Sequence, residues 1–112
     1  MNTHTLNLRP RPFLQIKEGT KRIEMRLFDE KRSKIKVGDN ICFVNNATAE
    51  RISATVIGLK RFKSFKELYA YYNPLDLGYK EDEEVSYLDM NIYYEDAMIN
   101  KWGVLAIRFK LN

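Results

Sequence analysis

Three charged side chains of different chemistry, those of Lys21, Glu24 and Arg26, lie within one short stretch of the sequence. If this stretch is a β-strand, Glu24 and Arg26 project from the same face, about 7 Å apart at Cα. A guanidinium and a carboxylate at that distance can pair with each other or flank one ligand, and together they complement a nucleobase edge or a phosphate. Lys21 has the opposite parity and joins them only at the mouth of the strand or beside a bulge. The alternative is a ladder of surface salt bridges.

The same stretch also suits hydrolysis of an amide. A deprotonated lysine can act as a base, a neighbouring hydroxyl as the nucleophile, and a carboxylate as the group that orients or transfers the proton. Lys21 and Glu24 are therefore candidate catalytic residues. The nearest hydroxyl, that of Thr20, precedes the lysine.

Composition and charge restrict the class of protein. The chain has 112 residues, of which 45% are hydrophobic and 30% charged, with a net charge of +4, which predicts a single domain over residues 1–112. Ten Lys or Arg and four acidic residues lie in the first 36 positions, and such a basic region attracts phosphates. No apolar run is long enough for a membrane span, and no leader pattern is present. We expect a cytoplasmic protein with no membrane partner. The sequence leaves its oligomeric state open.

Metal and cofactor chemistry has no support in the residue types. His4 is the only histidine and Cys42 the only cysteine, so no second soft ligand falls at metal spacing and Cys42 has no partner for an internal disulfide. A histidine-based catalytic triad lacks its other members as well. We expect neither a metal site nor a cofactor.

Two further groups of residues suit a nucleic acid. A predicted basic loop carries side chains that can follow phosphates, namely Lys31, Arg32, Lys34 and Lys36. The alternative is a loop that is merely solvated. Unpaired bases stack on tyrosine rings, and of the tyrosines in the second half of the chain we select Tyr94, or its neighbour Tyr93, as a functional one. The acidic run at residues 81–84 suggests, as a third option, a surface for binding another protein.

Hydrophobic periodicity predicts the elements that position these residues. Alternating patterns predict strands over residues 3–8, 21–27, 41–44, 50–62 and 104–111. Helical spacing predicts a short helix that Gly19 ends, a second helix after a capping box at Ser64, and a third from Met90 to about Asn100. Gly58 marks a bulge in the fourth strand. We expect a small mixed barrel, closed so that its edge strands pair.

Four segments carry a resemblance to a known family. Residues 19–26, Gly-Thr-Lys-Arg-Ile-Glu-Met-Arg, fit the pattern Gly-x-Lys-x-x-Glu-x-Arg. Residues 35–39 (Ile-Lys-Val-Gly-Asp), the turn and helix start at 62–68, and residues 101–107 (Lys-Trp-Gly-Val-Leu-Ala-Ile) follow in order. In this pattern and order the chain resembles ASCH domains, which belong to the PUA-like superfamily, over nearly its whole length.

The resemblance implies an α+β fold, a PUA-like mixed β-barrel of about five or six strands with two or three flanking helices. It implies a cleft lined by the Gly-x-Lys-x-x-Glu-x-Arg motif and a ligand that is RNA or a nucleotide. Some relatives are small amidohydrolases that act on 4-acetylcytidine, and this activity is the alternative function. Where those enzymes carry threonine, this chain has Glu24. The resemblance also implies a distant carboxylate, for which Glu83, Glu84 and Glu95 are the candidates. With the basic loop and the selected tyrosine, the candidate binding residues are Gly19, Lys21, Glu24, Arg26, Lys34, Lys36 and Tyr94.

Overall fold

Five strands and three short α-helices make up the chain, and the computed structural model describes all residues from Met1 to Asn112. The strands are β1 (Thr3–Leu8), β2 (Ile23–Leu27), β3 (Asn40–Asn45), β4 (Arg51–Phe62) and β5 (Val104–Leu111). The helices are α1 (Pro10–Glu18), α2 (Phe65–Tyr71) and α3 (Asp96–Trp102). Short 3-10 helices cover Arg32–Lys34, Pro74–Leu77 and Tyr87–Ile92. None of the helices has the length and apolar character that crossing a membrane requires.

The strands form one mixed sheet in the order β1-β3-β4-β5-β2. The β1 and β3 strands are parallel, and every other pair is antiparallel. The predicted α+β class and strand number are therefore confirmed. The predicted closure is wrong, because β1 and β2 lie at opposite ends of the strand order and do not pair. The molecule is a half-barrel with an open seam between its two edge strands.

Apolar side chains cover both faces of the sheet. On the inner face, Leu105 and Ile107 of β5 pack with Phe13 of α1 in one buried cluster. On the outer face, Val104 and Ala106 join a second cluster, to which α2, α3 and the odd-numbered residues of β2 contribute. A strand that is buried on both faces has a nearly continuous apolar sequence, as β5 does. The two clusters hold β2 against β5 and leave the other edge of β2 free.

The end of α1 places the start of the candidate motif. Gly19 adopts a left-handed conformation with φ of 85°, which glycine tolerates without a steric penalty. The N–H groups of Gly19, Thr20 and Lys21 donate to carbonyl groups in the last turn of α1. This turn reverses the chain and delivers Lys21 to the mouth of β2, so the predicted ending of the first helix is confirmed. The bulge at Gly58 is also observed, as a register shift between Val56 and Gly58.

The predicted helix from Met90 to Asn100 is wrong. Residues 87–92 form a 3-10 helix, and α3 begins only at Asp96 after an extended residue, Glu95. The N–H groups of Tyr93 and Tyr94 both donate to Met90 O, which ends the first segment. Stacking of Tyr94 on Phe65, with ring centroids 5.9 Å apart, and burial of Ile99 set the direction of the chain here. Tertiary packing thus overrides a helical spacing in the sequence.

Candidate ligand-binding cleft

A cleft of about 590 Å³ lies at the seam of the half-barrel. The end of β1, the first turn of α1 and the strand β2 form one side of it. The other side is the segment from Leu77 to Tyr94, which carries the 3-10 helix Tyr87–Ile92, together with Tyr69 of α2. A closed barrel has no such opening, so the unpaired edges of β1 and β2 create the cleft.

The strand β2 directs two charged side chains into this opening. Glu24 lies opposite Ile107 and Arg26 opposite Leu105 in the antiparallel register. Directly opposed residues project from the same face of a sheet, and both partners belong to the inner cluster. The two side chains are therefore on the same face, as the alternation indicates, but this face is the inner one. Glu24 is only 4% exposed, so these side chains are not a row of solvated surface charges.

Lys21, Glu24 and Arg26 form a buried ion cluster at the floor of the cleft. Glu24 Oε2 accepts hydrogen bonds from Arg26 Nε and Nη2, at 3.2 and 3.0 Å. Glu24 Oε1 accepts one from the N–H of Met25 at 3.0 Å and lies 3.4 Å from Lys21 Nζ. Lys21 Nζ also donates to Leu77 O at 3.3 Å. The cluster thus ties β2 to the opposite side of the cleft.

The surroundings of Glu24 keep its carboxylate charged. Burial alone raises the pKa of Glu24, but the charges of Lys21 and Arg26 and the hydrogen bonds from Met25 and Arg26 together hold it below the ordinary value of 4.5. The pKa of Arg26 is raised, because attraction to Glu24 exceeds the opposing effect of burial. A carboxylate with a lowered pKa is a weak base, so Glu24 is suited to orienting cations rather than to removing protons.

Several polar groups in the cleft have no partner within the protein. Arg26 uses Nε and Nη2 in its hydrogen bonds, the latter also to Asn7 O of β1 at 2.8 Å, so Nη1 is free. The carboxamides of Asn7 and Asn46 are exposed and line the cleft. The hydroxyl of Tyr94 points to no protein acceptor, and burial raises its pKa, so it stays protonated. These groups supply donors and acceptors for a flat polar ligand.

Tyrosine rings form the wall opposite β2. Tyr79 and Tyr69 meet edge to face at 5.8 Å with their hydroxyls 2.9 Å apart. The Tyr79 hydroxyl donates to Asp89 Oδ2 at 2.6 Å, and burial followed by this contact raises the pKa of Tyr79. Tyr94 is held by stacking on Phe65 at an interplanar angle of 13°. The wall is thus a fixed aromatic surface.

The predicted residues divide into two groups. Lys21, Glu24, Arg26 and Tyr94 line the cleft. Gly19, Lys34 and Lys36 do not: nothing approaches within 4 Å of a Cβ built at Gly19, and both lysines are exposed on the connection between β2 and β3. The sequence interpretation missed Arg9, Arg11, Asn7 and Asn46, which the cleft includes. The Arg-Pro-Arg-Pro sequence at residues 9–12 could have indicated the two arginines. No feature of the sequence indicated the two asparagines.

The structure brings no three His, Cys, Asp or Glu side chains close enough together to hold a metal ion. Of the candidate distant carboxylates, Glu83 lies at the cleft rim, whereas Glu84 and Glu95 are not among its lining residues. The side chains that line the cleft include guanidinium groups, carboxamides and aromatic rings.

The half-barrel with a charged cleft at its open seam defines a small α+β domain of the PUA-like class. The sequence pattern of the ASCH domain matches residues 6–112, and the chain belongs to that family. No curated protein sequence matches this chain.

Solved structures share this fold. The hypothetical protein PH0355 is 28% identical, with a TM-score of 0.82 and complete coverage of both chains. Protein PF0455 from Pyrococcus furiosus is 25% identical, with a TM-score of 0.75 over 97% of this chain and 96% of that one. The ASCH protein of Zymomonas mobilis, as its S128A variant, is 14% identical, with a TM-score of 0.69 over 97% of this chain and 68% of that one. The last of these likenesses concerns the fold alone.

Proposed function

We propose that the protein binds an unpaired nucleotide, free or within single-stranded RNA, in the cleft between β1 and β2. The buried cluster of Lys21, Glu24 and Arg26 at the cleft floor carries the proposal. A buried ion cluster contributes little net stability compared with apolar packing of the same volume. Its place at the floor of a cleft favours a role in recognising a ligand, and family membership agrees with a nucleic-acid ligand.

The groups in the cleft match the parts of a nucleobase. The free Nη1 of Arg26 donates, and the carboxamides of Asn7 and Asn46 both donate and accept, which suits the edge of a base. Each base stacked on an aromatic ring contributes about 1–3 kcal/mol, and Tyr93 and Tyr94 both line the cleft. A volume near 590 Å³ lies within the range of about 300–1,000 Å³ for small-molecule sites.

The alternative, an amidohydrolase for acylated nucleosides, is supported by the contact between Lys21 and Glu24 in a cleft of nucleoside size. Two observations favour binding over hydrolysis. Both oxygens of Glu24 are engaged and its pKa is lowered, so it activates water poorly. The hydroxyl of Thr20 donates to Gln15 O at 3.1 Å and does not line the cleft.

Calorimetric titration of the purified protein with ribonucleosides, their 5′-monophosphates and short single-stranded RNA tests the binding proposal. Replacing Arg26 by Gln should weaken binding about tenfold or more, since a hydrogen bond to a charged group contributes about 1.5–3 kcal/mol. Arg22→Gln is the matched control, because Arg22 is exposed and directly precedes β2. This change should leave the affinity unchanged. Tyr94→Phe removes a ligand contact without disturbing the ion cluster and should also weaken binding. Failure of every probe to bind the native protein would refute the proposal.

The basic loop is proposed to contact phosphates of an RNA outside the cleft. Each phosphate contact contributes about 0.7 to the slope of log affinity against log salt for a single strand. The double change Lys34→Ala with Lys36→Ala should therefore reduce the slope by about 1.4. Lys63→Ala with Lys66→Ala, two exposed lysines at the start of α2, is the control that alters net charge equally. An equal change of the salt slope in the two double variants would mean that the basic loop has no specific role.

Incubation with 4-acetylcytidine, followed by chromatography for released cytidine, tests the alternative. Hydrolysis by this site predicts release by the native protein and none by Lys21→Met. Release that persists in Lys21→Met would place the activity elsewhere, and no release by the native protein would exclude 4-acetylcytidine as its substrate and count against the alternative.

A further inference from the structure

Two arginines of the first helix stand at the rim of the cleft. Arg9 and Arg11 flank the start of α1, are exposed, and line the cleft. The guanidinium of Arg9 lies 5.0 Å from the centre of the Tyr93 ring, a cation–π contact that leaves its N–H groups free to donate. The rim therefore carries two positive charges on the same side as β1.

An acidic side chain from the opposite side of the cleft forms an ion pair with one of these arginines. Arg11 Nη2 donates to both oxygens of Glu83, at 2.8 and 2.9 Å. The contact joins α1 to the segment of residues 81–84, which carries four consecutive acidic side chains. Glu83 is anionic at neutral pH, because the N–H of Lys80 and then Arg11 lower its pKa. A carboxylate of the chain itself thus covers the basic rim.

A guanidinium binds a carboxylate and a phosphate through the same donors. The side chains of Arg11 and Glu83 are 64% and 30% exposed, and exposed pairs of this kind are weakly held. A phosphate, whose charge equals that of a carboxylate in a diester and exceeds it in a monoester, can therefore exchange with the carboxylate of Glu83 at little cost. Arg9, which has no internal acceptor, is positioned to contribute a second set of donors to the same anion.

We infer that Glu83 stands in for a phosphate of the ligand, so that the cleft takes phosphorylated nucleotides in preference to nucleosides and displaces Glu83 from Arg11 on binding. This inference rests on the proposed function and adds a phosphate subsite to it. The anion is a monoester in a free nucleotide and a diester in RNA, and both present at least two non-bridging oxygens that can accept from Arg9 and Arg11.

The test compares three probes, a ribonucleoside, its 5′-monophosphate and the corresponding dinucleoside monophosphate, by calorimetric titration against the full chain. Glu83→Gln should raise affinity for the two phosphate-bearing probes about two- to fivefold, the range expected when an exposed ion pair no longer competes. Its affinity for the nucleoside should not change. Glu81→Gln, which removes the same charge from the same segment without a contact to Arg11, is the matched control and should have a smaller effect.

Arg11→Gln should lower affinity for the phosphate-bearing probes by about threefold or more and leave the nucleoside unaffected. Tighter binding of the monoester than of the diester by the native protein identifies a free nucleotide as the better ligand, and the reverse order identifies RNA. If nucleoside and nucleotide bind the native protein equally and Glu83→Gln does not separate them, the phosphate subsite is refuted while the proposed function stands. Absence of binding by all three probes would overturn both.

Discussion

Replacing Glu24 by Gln should reveal how strongly the ion cluster depends on its only anion. The change keeps the shape of the side chain but leaves the cations of Lys21 and Arg26 beside each other at 8% and 12% side-chain exposure. Removing one partner of a buried pair costs about 3–5 kcal/mol. The amide of Gln still accepts the hydrogen bond from Met25, so we expect a loss of about 3 kcal/mol in the free energy of unfolding.

Urea denaturation followed by the fluorescence of Trp102, the single tryptophan, measures this loss. A domain of this size has a stability of about 5–15 kcal/mol, so the variant should remain folded with its melting temperature lowered by roughly 12 °C. Glu81→Gln is the control for an exposed carboxylate and should lie within about 0.5 kcal/mol of the native protein. Adding Lys21→Met to Glu24→Gln should cost less than the sum of the single changes, because an unpaired cation is removed.

The dependence on pH gives a second readout of the same cluster. Because the pKa of Glu24 is lowered from 4.5 in the folded protein, its contribution to stability is complete above that value and is lost as the pH falls through the folded pKa. The difference between the native protein and Glu24→Gln should therefore be constant near neutrality and shrink in acid. A loss below about 1 kcal/mol at neutral pH would refute the reasoning, since it would mean that water screens the cluster.

Two further predictions concern stability elsewhere. Gly78→Ala places a Cβ 2.7 Å from Gln15 Oε1 at a φ of 105°, so it should lower the free energy of unfolding by about 1–3 kcal/mol. Gly38→Ala, at a similar φ with open space around it, should lower the free energy of unfolding less in the same urea titration. Asp39→Asn should lower stability above pH 3.8 and match the native protein as the pH approaches 2, because hydrogen bonds led by that from His4 lower the pKa of Asp39 to about 2. Thermal melts across this pH range check the prediction. Melting temperatures of the two proteins that change in parallel with pH would contradict it.

Local spacing was sufficient to predict most of the elements. The turn at Gly19, the bulge at Gly58 and the helix after Ser64 depend on interactions between residues near in sequence, such as the hydrogen bond from the N–H of Glu67 to Ser64 Oγ at 3.3 Å. The alternation in β2 likewise predicted that Glu24 and Arg26 share a face. Family resemblance added the overall fold, which no single element specifies.

Features that depend on distant contacts were not predictable in this way. The burial of Glu24 arises because its face of β2 is the inner one, which follows from pairing with β5 about 80 positions later in the chain. The open seam arises because β1 pairs with β3 and β2 with β5. The rim contact of Arg11 with Glu83 joins residues 72 positions apart, and the break before Asp96 depends on how Tyr94 packs.

The open seam also bears on how the protein resists self-association. An unpaired strand edge is a template for pairing with another chain, and β2 has such an edge facing the cleft. Glu24 satisfies the N–H of Met25, and Arg26 satisfies the carbonyl of Asn7 on the facing edge. The charged residues of the motif therefore occupy backbone groups that a foreign strand would otherwise bind. Glu24 and Arg26 also belong to the proposed binding site, so variants at these positions must be checked for aggregation before a loss of binding is interpreted.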